Sequence, residues 1–262
     1  MILSISVIGA DRQVKARASA DGHVSLVYPL PYEPGDAVCL HGSGAGFVTA
    51  QMEDGLAPAF GFLRSEFRLP IPFGRERDGY SPGCFSGGPH LLWARAAGAK
   101  EIGNYRNLAL NPLDHHHNSG FYPHAEANVE TRGESAFAAR NAIDGNCASA
   151  GHGLWPYESW GIDRREDAEI RVDFGREVRI DRLVITLRAD FPHDNWWKTA
   201  AVTFSNGFAF HPGFVRTGAP QAFLIEPQQT AWLRMSGMVK DPEDPSPFPA
   251  LAQLEAWGYD MV

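Results

Sequence analysis

The sequence predicts an all-β protein made of two antiparallel β-sandwich domains. Three observations predict this class. Short apolar–polar alternations recur along the chain, 27 Gly and 19 Pro punctuate them, and no sustained helical period lies between them. At 44% hydrophobic the chain can fill ordinary cores. A change of texture near residue 105 divides it into an N-terminal sandwich of unknown role, 1–105, and a second domain, 106–262.

In the first part, LSISVIG (3–9) and HVSLVYPL (23–30) alternate as half-buried strands do. YEPGDAVCL (32–40) joins a Pro-Gly turn to a strand, and FRLPIPFG (67–74) is extended because its prolines forbid a helix. HLLWARAA (90–97) reads as a strand and AGAKEIGNY (97–105) as one short helix. In the second part, EIRVDFG (169–175) sets Ile170, Val172 and Phe174 on one face, and RIDRLVITLRAD (179–190) carries a longer apolar stripe. AAVTFSNG (200–207) ends in the Asn-Gly of a hairpin. AFLIEP (222–227), AWLRMSG (231–237) and LAQLEAWG (251–258) complete six or more short strands.

The formal net charge of −8 argues against nucleic acid and anionic membrane partners, which need a basic face. No apolar run approaches the roughly 18 residues of a membrane span. Cys39, Cys84 and Cys147 are odd in number and widely spaced, as reduced structural thiols are. MILSISVIGADRQ lacks a basic stretch before a long apolar core, so the expected location is the cytoplasm, or outside the cell if a leader was trimmed. Oligomeric state stays open, a homo-oligomer included.

Five ordered segments resemble the discoidin family, the coagulation factor V/VIII type C domains, and within it the family 32 carbohydrate-binding modules. They are NLALNP (107–112), ARNAIDGNCAS (139–149), DAEIRVDFG (167–175), VRIDRLVITLRAD (178–190) and ALAQLEAWG (250–258). The likeness spans about 106–260 and implies a discoidin-like jelly roll that binds an oligo- or polysaccharide. The chain departs from the family in GHGLWPYESWGIDRRE (151–166), LDHHHNSGFYPHAEANVETRG (113–133) and ADFPHDNWW (189–197), which are richer in polar and aromatic groups.

Calcium takes six to eight hard oxygens, and a tight Gly turn lets several come from one loop. Asp144, Asn146 and Ser149 offer side-chain oxygens around Gly145, the Asn141 carbonyl adds another, and Glu255 would close the cage from the last strand. The resemblance points to the same positions, and the metal's expected role is structural. The alternative is an Asx turn with Glu255 as a surface carboxylate.

Sugars are held by aromatic faces beside planar polar side chains. ADFPHDNWW supplies Asp190, His193, Asp194, Trp196 and Trp197 next to Arg188, and one of the two tryptophans is expected inside. The long insert adds Trp155 and Tyr157, with His152, Glu158 and Trp160. FYPHAEANVETRG adds His124 and Arg132 together with Tyr122 and Glu130, and Pro-Phe-Pro adds Phe248. The run Asp114-His115-His116-His117 reads as a hydrogen-bonded loop. Carbohydrate binding is the first functional expectation. The alternative is a cytoplasmic lyase or glycoside hydrolase using the same loops. It would take His193 or Tyr157 as base, or Asp190 or Asp194 with Glu158 or Glu130 as the carboxylate pair.

Overall fold

The computed structural model describes residues 1–149 and 155–261. His152 therefore lies outside the described residues. The fold is all-β with antiparallel pairing, and its short helical pieces serve as connections.

Residues 1–105 contribute β1 (Ile2–Ile8), β2 (Val14–Asp21), β3 (His23–Tyr28), β4 (Ala37–Gly42), β5 (Gly46–Gln51), β6 (Ala59–Leu63), β7 (Glu66–Pro70), β8 (His90–Ala96) and α1 (Ala99–Ile102). A sheet of order β2-β1-β4-β7 packs on a second one that carries β6-β5-β8-β3. Leu3, Ile5, Val7, Val38, Leu40 and Phe67 of the first meet Val24, Tyr28, Val48, Leu63 and Leu92 of the second in one core. That core extends past residue 105, because Leu113 and Phe121 belong to it.

The remaining strands are β9 (Arg106–Asn107), β10 (Phe121–Tyr122), β11 (His124–Ala127), β12 (Trp160–Gly161), β13 (Ile170–Leu187), β14 (Trp197–Phe204), β15 (Ala209–Phe210), β16 (Gln221–Lys240) and β17 (Ala250–Asp260). β10 pairs with β6 and so completes the N-terminal sheet. The others form a sheet of order β12-β17-β13-β16-β14-β15, which folds over a core holding Trp160, Phe174, Ile185, Trp197, Phe204 and Leu254.

Two pairs of segments that read as separate strands are continuous. β13 (Ile170–Leu187) takes in most of both 169–175 and 179–190, changing register on β16 between Asp173 and Val178. Gly175 sits at that shift with φ +69°, a conformation glycine adopts without a Cβ clash, so the strand bends and resumes pairing. A Cβ there would lie 2.4 Å from the Tyr122 ring, so the bend is also where the second core meets the strand lent to the first. β16 likewise joins 222–227 to 231–237 through an irregular register.

Charge and aromatic contacts lock the two sandwiches together. Buried Asp260 accepts from Arg106 and from Arg176 Nε (2.7 Å), and Arg176 lies 4.9 Å from the Phe47 ring. Arg140 donates to the Gly79 carbonyl (3.1 Å) and covers the Tyr80 ring at 4.2 Å. Cys39, Cys84 and Cys147 are all free thiols.

Candidate functional site

Three connections gather at one end of the second sandwich: the segment leading into and out of β12, the loop from β13 to β14, and the segment before β17. Between them lies a cleft of about 300 Å³ lined by Tyr157, Arg164, Arg188, His193, Phe248 and Arg132, with Phe137 behind.

Asp194 organises this cleft. It is fully buried, a costly place for a carboxylate without partners. It accepts from Arg188 Nε (2.8 Å) and Nη2 (2.6 Å), and from the Asp190 backbone N–H (3.1 Å). His193 Nδ1 lies 2.9 Å from the same carboxylate, which assigns the proton to Nδ1 and leaves Nε2 as the other ring atom. The paired fork fixes the Arg188 guanidinium in orientation as well as charge. Arg188 also donates to Ser159 Oγ (3.2 Å), so two of its five N–H donors have no partner among the described residues. Its guanidinium lies 4.3 Å from the Tyr157 ring and 5.6 Å from Phe137. Burial pushes the Tyr157 phenol pKa well up, so the group stays a neutral hydroxyl.

His193 stacks almost parallel on Phe248, with centroids 5.2 Å apart and planes 9° apart. Both rings are exposed, so this stack forms one wall of the cleft. Asn195 holds the wall from behind by donating to the carbonyls of Asp241, Asp244 and Ser246 (3.2, 3.2 and 2.6 Å). On the opposite side Arg132 adopts φ +54°, a left-handed conformation unusual for a non-glycine residue, and pairs with Glu134.

The structure therefore brings Tyr157, Arg188, His193, Phe248 and Arg132 together, with Asp190 and Asp194 beneath them. The other expected residues lie outside the cleft lining. Trp197 is 1% exposed and packs 6.4 Å from Trp160, because it opens β14 on the inward side of the alternation. Trp196 is half-buried and donates to Asp241 Oδ2 (3.2 Å), away from the cleft lining. Trp155 is exposed but does not line the cleft. His124 is turned inward, with Nδ1 2.8 Å from buried Asp114. Asp194 is fully buried and holds Arg188 and His193 in place. Reasoning from sequence missed Arg164, Phe137 and Ser159. The basic pair in GIDRRE was the available signal for Arg164; it was passed over for the aromatics of the same insert.

A second, wider groove of about 840 Å³ lies between the two sandwiches, lined by Arg75, His115, His116, His117, Arg132 and Arg140. Arg132 belongs to both openings. Asp114 accepts from Asn118 Nδ2 and the Ala125 N–H, so the Asp-His run is a hydrogen-bonded loop. Burial lowers the His115 pKa to about 4, leaving that ring neutral near pH 7. Glu130 accepts from the Ala139 N–H (2.7 Å) and lies 2.5 Å from His116 Nε2. Glu158 accepts from the Tyr157 N–H and from Asn146 Nδ2.

Two of the residues expected to ligate calcium meet at one side chain of β17. The Asn141 carbonyl and Asp144 Oδ1 do converge, but on the amide nitrogen of Gln253, at 2.9 and 2.8 Å. Asn146 caps its own turn by accepting from the Ala148 N–H, and Ser149 is exposed. Glu255 accepts instead from Trp257 Nε1 (2.6 Å), because two residues further along β17 it has moved past the loop. Asp144 is half-buried by area, and loss of solvent around its carboxyl raises its pKa to about 7.

No protein-family model matches the chain, and no curated protein sequence does. Among solved structures, it is similar to chitosan-binding module 1 from a Paenibacillus sp. IK-5 chitosanase/glucanase, with 18% identity and a TM-score of 0.42 over 58% of this chain and 99% of that one. It is also similar to the lectin domain of lectinolysin complexed with Lewis B antigen, with 15% identity and a TM-score of 0.44 over 59% of this chain and 98% of that one. A third is the family 32 carbohydrate-binding module of C. perfringens NanJ in complex with galactose, with 16% identity and a TM-score of 0.36 over 51% of this chain and 91% of that one.

Proposed function

We propose that this protein binds an oligo- or polysaccharide in the cleft between Arg188, Tyr157 and the His193–Phe248 stack. The observation that carries the reading is Arg188. It is an almost fully buried cation, fixed by Asp194, with two N–H donors that have no partner among the described residues, at a cleft walled by exposed rings. A sugar offers complementary surfaces: C–H patches for the ring wall and hydroxyl oxygens for the guanidinium. Ground-state recognition needs nothing more. The wider groove beyond Arg132 gives a longer glycan a path between the two sandwiches.

The loop at 141–149, in this reading, is braced on β17 by the Gln253 amide rather than by calcium. The experiment is native mass spectrometry of the protein with a panel of neutral and uronic oligosaccharides. A 1:1 complex with sugar of unchanged mass supports recognition. No complex with any member, or turnover of the sugar, overturns it.

A further inference from the structure

A separate cluster sits in the N-terminal sandwich, far in sequence from the sugar cleft. Glu53 follows β5, and Asp54 is its neighbour; His90 opens β8, which pairs with β5. One potential ligand atom from each of the three lies within 4.8 Å of the others, and they are the one such His/Cys/Asp/Glu group among the described residues.

The polar bookkeeping of this cluster does not close. Glu53 is 1% exposed; its Oε1 accepts from the Phe85 N–H (2.9 Å) and the Gly55 N–H (3.3 Å), whereas Oε2 is buried with no partner. His90 is 2% exposed and its Nε2 is also buried without a partner. Its Nδ1 is 3.7 Å from Asp54 Oδ2, beyond hydrogen-bond reach. The buried Tyr32 hydroxyl, on a ring stacked 4.0 Å from the His90 ring, has no partner either. Each buried polar atom left unpaired costs about 1–3 kcal/mol, so the orphaned Glu53 Oε2 and His90 Nε2, on two residues of one three-residue group, call for a partner. Burial also pushes the Glu53 carboxyl up, a desolvation that a nearby cation would offset.

We propose that Glu53, Asp54 and His90 bind a first-row divalent transition-metal ion such as Zn²⁺ or Mn²⁺. An imidazole together with two carboxylates selects this class over Ca²⁺ and Mg²⁺, which prefer oxygen alone. The stack of Tyr32 on His90 fixes the ring plane, and the Phe85 and Gly55 amides fix the Glu53 carboxylate, as supporting groups do at metal sites. Asp54 is exposed and gives the ion a path from solvent.

The test is titration of the chelator-treated full chain with Zn²⁺, Mn²⁺, Ca²⁺ and Mg²⁺, read by calorimetry and by Tm. The expected result is one tight Zn²⁺ or Mn²⁺ per chain with a raised Tm, and weak or no response to Ca²⁺ and Mg²⁺. His90→Gln and Glu53→Gln should each weaken binding at least about 10-fold. Because both alter buried positions, Asp54→Asn is the safeguard: it lies at the surface, keeps an acceptor for the Leu91 N–H, and should still weaken binding at least about 10-fold. The proposal is overturned if no stoichiometric ion binds. It is equally overturned if the affinity survives Asp54→Asn and falls instead in His116→Ala or His117→Ala, which would assign the ion to the exposed histidine run.

Discussion

Removing the Asp194 carboxylate should disable the cleft and destabilise the fold together. Arg188 is 5% exposed and its partner is fully buried, so Asp194→Ala leaves a desolvated guanidinium without its counter-charge. Breaking such a pair on one side costs about 3–5 kcal/mol. At about 2–4 °C per kcal/mol for a chain of this size, Tm should fall by about 6–20 °C. The same substitution frees the Asp190 N–H and His193 Nδ1, which share that carboxylate. Sugar binding should therefore be lost even at temperatures where the variant is folded. Removing both partners, as Arg188→Leu with Asp194→Leu, leaves no orphaned charge and should cost far less than the sum of the single changes, while still abolishing binding. Urea unfolding gives the stability cycle and calorimetry the affinities. A loss below about 1 kcal/mol for Asp194→Ala, or wild-type affinity in that variant, would refute the reasoning.

Three further outcomes follow from the loop over β17 and the groove. The Asp144 carboxyl is raised to about 7 from 3.8, so its contribution is fully present below the unfolded value and is lost as pH rises towards 7. Wild-type stability relative to Asp144→Asn should thus decline from pH 4 to 7, by no more than about 1.4 kcal/mol per pH unit. The His115 pKa is depressed to about 4 from 6.5, which has the opposite sign: stability is lost as pH falls through that window, and His115→Gln should remove this part of the pH profile. Added Ca²⁺ should leave the wild-type Tm unchanged, whereas Gln253→Glu, which puts a carboxylate oxygen beside Asn141 O and Asp144, should make the Tm calcium-dependent. A wild-type Tm that rises with Ca²⁺ would restore calcium as the brace.

Much of the architecture was legible because period-two patterning survives in single strands. LSISVIG shows its inward face directly and AGAKEIGNY marks α1, whereas LAQLEAWG buries Leu251 through Leu254 in succession at a register shift. What was not legible depends on long-range pairing. β13 and β16 look like two strands each because their register shifts mimic breaks, and β10 joins the N-terminal sheet through two residues with no local signal. At the site, Arg188, His193, Tyr157 and Phe248 were visible as residue types suited to sugars. The choice between Trp196 and Trp197 needed the strand phase, which only the pairing of β14 with β16 supplies. Gln253 was overlooked because Glu255 is the more obvious calcium ligand. Which of two same-face residues meets a loop is decided by one step of strand register. The Glu53–Asp54–His90 cluster was invisible for the same reason, since its members come together only through β5 and β8.

The most direct measurement is the calorimetric affinity of the wild type and of Phe248→Ala for the best-binding oligosaccharide. Phe248 is 41% exposed, so its truncation should leave Tm nearly unchanged. Loss of the ring wall and of the His193 stack should weaken binding by about 10-fold or more, equivalent to roughly 1.4 kcal/mol. Equal affinity in the two proteins would place the glycan elsewhere and contradict the account.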